Sequence, residues 1–199
     1  MSQTRLLDRD RSIVVVIDLQ GKLLTMAHRW ERVVAATVRL LKLADLFAVP
    51  VLLTEQYPEG LGTTHPEVRA VFDAHTGATD LLTKVSFGCC GDERFEARLA
   101  ALRPGLPAPD RQVVIAGIEA HVCVAQTALE LLTAGCQVHL CWECVSGRGE
   151  EYRHWALQRL QQAGAQITNH ESVAFEWART KDDDRFRAMN RLLREGQIV

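Results

Sequence analysis

The sequence predicts an α/β fold, with a six-stranded parallel sheet covered by helices on both faces. Three observations lead there. β-Branched apolar runs alternate with amphipathic stretches along the chain, the pattern of strands joined by crossover helices. The first run, "SIVVVID" (12–18), is apolar without alternation, as a strand buried on both faces must be. No internal repeat, low-complexity segment or interior linker divides the 199 residues, so a single domain over 1–199 is the expectation.

After this first strand, "WERVVAATVRLLKLADLF" (30–47) carries a helical stripe through Val33, Val34, Leu40, Leu41 and Ala44. Pro50 ends that helix, and "VPVLLTE" (49–55) is the second strand. "QYPEGLGTTHPE" reads as a Gly- and Pro-rich loop, and "TDLLTK" (79–84) as the third strand. "DERFEARLAALR" (92–103) is an amphipathic helix with Asp92 as its N-cap. "QVVIAGI" (112–118) is the fourth strand, and the helix that starts near Cys123 stops at Gly135, a C′ residue. "QVHLCWECV" (137–145) is the fifth strand, "EEYRHWALQRLQQA" (150–163) a helix closed by Gly164, and "AQIT" (165–168) the sixth strand. The tail, 182–199, is expected to hold a last helix packed on a neighbouring subunit.

Composition excludes several classes. With 47% hydrophobic and 24% charged residues, the chain has the balance of a soluble globular protein. A net charge of −2 without a Lys/Arg stripe argues against a nucleic-acid partner. No apolar run approaches the ~20 residues of a membrane span. The polar start "MSQTRLLDRDRS" lacks a signal-peptide core, so a cytoplasmic location is expected. The six cysteines (89, 90, 123, 136, 141 and 144) then read as reduced thiols.

Ligands of open parallel sheets bind beyond the carboxyl ends of the strands, where strand order reverses. Three such ends carry residues capable of chemistry. Asp18 ends the first strand, Lys84 the third, and the fourth runs into "GIEAHVC", a turn that holds Cys123 at a helix start. In the order 3-2-1-4-5-6, strands one and four flank the reversal, so Asp18 and Cys123 become neighbours. Strand three lies roughly 9–10 Å from strand one at ~4.8 Å per strand, a gap that a lysine spans. A thiol with an ordinary pKa of ~8.5 is mostly protonated at neutral pH. A helix N-terminus and an ammonium favour the thiolate, and a carboxylate can take the proton. Each residue alone has a plainer reading: a turn Asp, a solvated Lys, a small buried Cys. Their joint placement makes those plainer readings less compelling, and on sequence geometry alone the two readings stand about even.

The same stretches carry a family resemblance. "VVVIDLQGKLL", "TKVSFGCC" and "VVIAGIEAHVCVAQTALELLTAG", in that order, resemble the isochorismatase-like cysteine hydrolases. "LLTEQYPEGLG", "GIEAHVCV" and "ESVAFEW" are most similar to the isochorismatase domain-containing branch. The resemblance implies a Rossmann-like three-layer α/β/α sandwich, usually a homo-oligomer (dimer or higher). It also implies Cys123 as nucleophile, Asp18 as general base, and Lys84 as the residue orienting Asp18 and stabilising the thiolate. A non-proline cis peptide between Ile118 and Glu119 is implied as well, with the amides of Glu119 and Cys123 as oxyanion hole.

Departures from the family narrow the chemistry. Nicotinamidases carry an Asp and two His after strand two, whereas "EQYPEGLGTTHPE" has the single His65 and no Asp. No metal and no cofactor are therefore expected, and nicotinamide is disfavoured. Isochorismatases that cleave a vinyl ether lack the cysteine, which argues against isochorismate. A cysteine hydrolase for a small-molecule amide, carbamate or ester remains, with Gln56, Tyr57, Phe87 and His121 shaping its pocket. A second reading is a thiol-redox or zinc protein built on "CWEC" (Cys141, Cys144) and "CC" (Cys89, Cys90). Residues three apart in a regular strand point to opposite faces, which favours plain buried thiols at 141 and 144. A third reading, a non-catalytic oligomeric scaffold, has no need of Asp18, Lys84 or Cys123.

Overall fold

The computed structural model describes residues 6–195. Its strands are β1 (Ser12–Ile17), β2 (Val51–Gln56), β3 (Thr79–Lys84), β4 (Gln112–Gly117), β5 (Gln137–Val145) and β6 (Gln166–Thr168). They form one sheet in the order β3-β2-β1-β4-β5-β6, and every pairing is parallel. The helices are α1 (Gly21–Thr25), α2 (Trp30–Leu46), α3 (Pro58–Leu61), α4 (Pro66–Asp73), α5 (Arg94–Leu102), α6 (Ala125–Thr133), α7 (Glu150–Gln162), α8 (His170–Ala178) and α9 (Phe186–Arg194). No helix among the described residues is long and apolar enough to cross a membrane.

The period of two along β1 builds both faces of the sheet. Val14 and Val16 join Leu40 and Leu41 of α2, Val68 of α4, Val173 of α8 and Met189 of α9. Ile13, Val15 and Ile17 turn the other way, against Phe95 and Leu99 of α5, Ala128 and Leu131 of α6, and Leu160 of α7. The result is a three-layer sandwich whose strand order reverses between β1 and β4.

Several local readings change. The α5 helix starts at Arg94, and Asp92 does not cap it as expected. Both the Arg94 amide and its guanidinium donate to Asp92, holding that carboxyl down to about 2. The stretch read as a loop after β2 contains α3 and α4, started by Pro58 and Pro66. Proline suits that position because its missing N–H would go unpaired there anyway. In "ESVAFEW" the chain forms α8, capped by Asn169, whose side chain accepts from the Ser172 N–H. The last helix packs on its own chain: Met189 and Leu193 are buried in the cluster with α2 and α8. The expected tail beyond residue 195 lies outside the described residues.

The fifth strand departs most. Leu140 pairs with Ile115 and Val145 with Gly117, so β5 advances five residues while β4 advances two. This bulge breaks the alternation. Cys141 and Cys144 both enter the cluster beneath α2 and α8, correcting the opposite-face expectation.

Gly117, at φ 133°, lies so close to β1 that a Cβ would sit 2.2 Å from the Ile17 carbonyl oxygen. Gly117→Ala is expected to cost about 1–3 kcal/mol through overpacking. Urea denaturation reads this; an unchanged midpoint would refute the close-approach argument.

Candidate active site

Asp18 follows β1 with φ 53°, which turns the chain out of the sheet. Its N–H donates to the Thr54 carbonyl on the neighbouring strand (3.2 Å). The carboxylate is fully buried, and both oxygens are held: Oδ1 accepts from Thr54 Oγ1 and Oδ2 from Lys84 Nζ, each at 2.7 Å. Lys84 reaches across the end of β2 to do this, since β2 lies between β3 and β1. Its buried ammonium also donates to Gln56 Oε1 (3.0 Å) and to the carbonyls of Ser86 (3.1 Å) and Phe87 (2.9 Å).

Beyond β4 the Ile118–Glu119 peptide is cis, and Ala120–Val124 makes one π-helical turn that runs into α6. Cys123 lies in that turn and is 4% exposed. The Val122 and Val124 amides donate to the Glu119 carbonyl, and Thr127 Oγ1 donates to that of Cys123 (2.7 Å). The Glu119 carboxylate pairs with Arg148 at 2.9 Å.

The Cys123 thiol meets Asp18, and its pKa is pushed up to about 12. Burial is the main cause, the Asp18 charge adds to it, and Lys84 opposes both. The sequence argument had an ammonium favour the thiolate; Lys84 does act in that direction, but burial and the Asp18 charge outweigh it. The ammonium is committed to Asp18, so the thiol feels a desolvated carboxylate first. Iodoacetamide labelling of Cys123 is therefore expected to climb with pH past 9, without a plateau near neutrality. A plateau below pH 8 would contradict this account.

The remaining expected residues divide. Gln56 is buried with its side chain spent on Lys84 Nζ and on the Val85 carbonyl (2.8 Å), so it positions the lysine instead of facing a ligand. The Tyr57 N–H donates to the Lys84 carbonyl, and the Tyr57 and Phe87 rings stand exposed at the ends of β2 and β3. His121 does not pair with Cys123. Its ring stacks on Tyr152 (centroids 4.8 Å apart), neither nitrogen has a hydrogen-bond partner among the described residues, and it lines a 400 Å³ cavity with Trp155 and Arg159. The His65 ring packs against Trp30.

The two adjacent cysteines serve different places. Cys90 feels the Glu130 charge, whereas Cys89 is buried with its thiol hydrogen-bonded to Thr127 and Thr54, raised to about 11 chiefly by burial and acted on by the charges of Lys84 and Asp18. Cys89 and Thr54 thus belong to the site, and sequence reasoning missed both roles. For Thr54 the sequence carried no local signal, since its place follows from strand register: it lies opposite Ile17, one residue before Asp18.

The isochorismatase domain matches residues 12–172. Mouse isochorismatase domain-containing protein 2A is 34% identical over 188 residues, covering 94% of this chain and 84% of the relative. The structure of MAR1 ribonuclease from Caenorhabditis elegans is 30% identical with a TM-score of 0.83, over 95% of this chain and 92% of that one. The ycaC gene product of Escherichia coli, an octameric hydrolase of unknown specificity, is 26% identical with a TM-score of 0.83, over 97% and 91% of the two chains. By the length of the match and these identities, the chain belongs to the isochorismatase domain family.

Proposed function

We propose that the protein is a cofactor-free cysteine hydrolase that cleaves a small amide, carbamate or ester through an acyl-enzyme on Cys123. One observation carries the reading: a buried Asp18–Lys84 ion pair joins two strand ends, and the Cys123 thiol in the turn after β4 interacts with both of its charges. A purely structural thiol needs neither the carboxylate nor its lysine.

In this reading Asp18 takes the Cys123 proton as the sulfur attacks the substrate carbonyl carbon. The resting thiol is neutral, so proton transfer and attack are coupled, and Lys84 keeps the carboxylate aimed at the sulfur. The Glu119 and Cys123 amides hold the oxyanion. Collapse expels the amine or alcohol, which leaves with the proton from Asp18. Water, deprotonated by Asp18, then adds to the thioester, and its collapse releases the acid and returns the proton to sulfur. The exposed rings of Tyr57 and Phe87 form the rim of the pocket.

Homo-oligomeric assembly is part of the proposal. It is supported by the octameric Escherichia coli relative and by the exposed apolar side chains of Tyr57, Val85 and Phe87. The decisive experiment mixes the protein with an activated aryl ester, quenches in acid and maps the adduct by mass spectrometry. An acyl group on Cys123 supports the mechanism. Acylation confined to another residue overturns it.

A further inference from the structure

We propose that Cys141, Glu143 and Cys144 form a binding site for a thiophilic metal ion, with Zn²⁺ as the best match, separate from the proposed catalytic centre. The bulge in β5 is what creates it, since it turns both thiols to one face. The two sulfurs and a Glu143 oxygen lie within 4.8 Å of one another. Tetrahedral ligands bonded at about 2.0–2.3 Å stand about 3.3–3.8 Å apart, so a small contraction would close the set. Two soft thiolates with one carboxylate select zinc-like ions over Mg²⁺ or Ca²⁺.

The surroundings are those of a metal centre. Glu143 Oε1 accepts from the His170 backbone N–H (2.7 Å) and contacts His170 Nδ1, an outer partner that fixes the carboxylate. Both thiols are fully buried. Zinc binds cysteine as the thiolate, so loading releases protons from the site. Glu143 also borders a 340 Å³ cavity lined by His28, Arg29, Arg32, Trp142 and Arg153, which provides a route in and room for a fourth, water ligand. The arginines there offset the net negative charge of a Cys₂Glu–Zn²⁺ centre. The site lies on the α2/α8 face, whereas Cys123 belongs to the opposite cluster.

The test uses full-length protein stripped with a chelator, Co²⁺ as spectroscopic probe and Zn²⁺ as competitor. The expected result is one Co²⁺ per chain with thiolate-to-cobalt charge-transfer absorption, displaced by Zn²⁺. Cys144→Ser should abolish that absorption while leaving Cys123 labelling unchanged. His170→Ala should weaken binding about 10–100-fold, the usual loss for an outer partner. If Cys144→Ser does not fold, Glu143→Gln replaces it, with at least a tenfold loss of affinity expected. Absence of absorption in the wild type, or its loss in Cys89→Ala or Cys123→Ala, would overturn the assignment.

Discussion

Cys123→Ala is expected to lower turnover by at least ~10³-fold while the protein stays folded. In the proposed mechanism the sulfur is the only protein atom that bonds to the substrate, so no neighbouring side chain replaces it. Structurally the change is mild. The Asp18–Lys84 pair keeps both members, and the Thr127 bond to the Cys123 carbonyl involves backbone. Thermal unfolding should therefore shift by only a few degrees. Cys123→Ser is the sharper control, since it keeps a donor for Asp18 and exchanges the sulfur for a less reactive hydroxyl. Turnover retained in Cys123→Ala would end the hydrolase reading as stated, and a fold lost with it would show the thiol to be structural.

Lys84→Met is expected to cost about 3–5 kcal/mol of stability, the range for removing one member of a buried ion pair. Asp18 would lose its charged partner and keep the Thr54 hydroxyl, while Gln56 Oε1 and the carbonyls of Ser86 and Phe87 would lose the Lys84 donor. Asp18→Asn strands the ammonium instead, and should also lower turnover about 10²–10⁴-fold by removing the proton acceptor. Combining the two removes both charges, so the double variant should be clearly more stable than the sum of the single losses predicts. Urea denaturation of the four proteins measures the coupling. Strict additivity would mean that the pair, though close, does not hold the site together.

Much of this was readable from residue order alone. The unbroken β-branched run of β1 and the strand-helix alternation specify a parallel sheet, and the polar residues after β1 and at the end of β3 point to the candidate site. What escaped depended on contacts. The α3 and α4 helices are short and hidden among glycines, although Pro58 and Pro66 mark their starts. Thr54 matters through its register with Ile17, which no local pattern reveals. The Cys141–Cys144 arrangement follows from a bulge, where a period-two rule fails. The high pKa of Cys123 depends on which partner the lysine has already claimed. A charge count sees one cation and one anion near the thiol, but only geometry shows the cation to be spent.

The Lys84 ammonium also ties the carbonyls of Ser86 and Phe87 to the carboxylate of Asp18. The segment after β3 is therefore an inseparable extension of the charge network, not an interchangeable accessory. Lengthening or grafting it to widen substrate range would loosen the grip on Asp18, the proposed proton acceptor, as well. Divergence of specificity on this scaffold is thereby steered to other walls. Side chains such as Tyr57 can change there without re-aiming the chemistry.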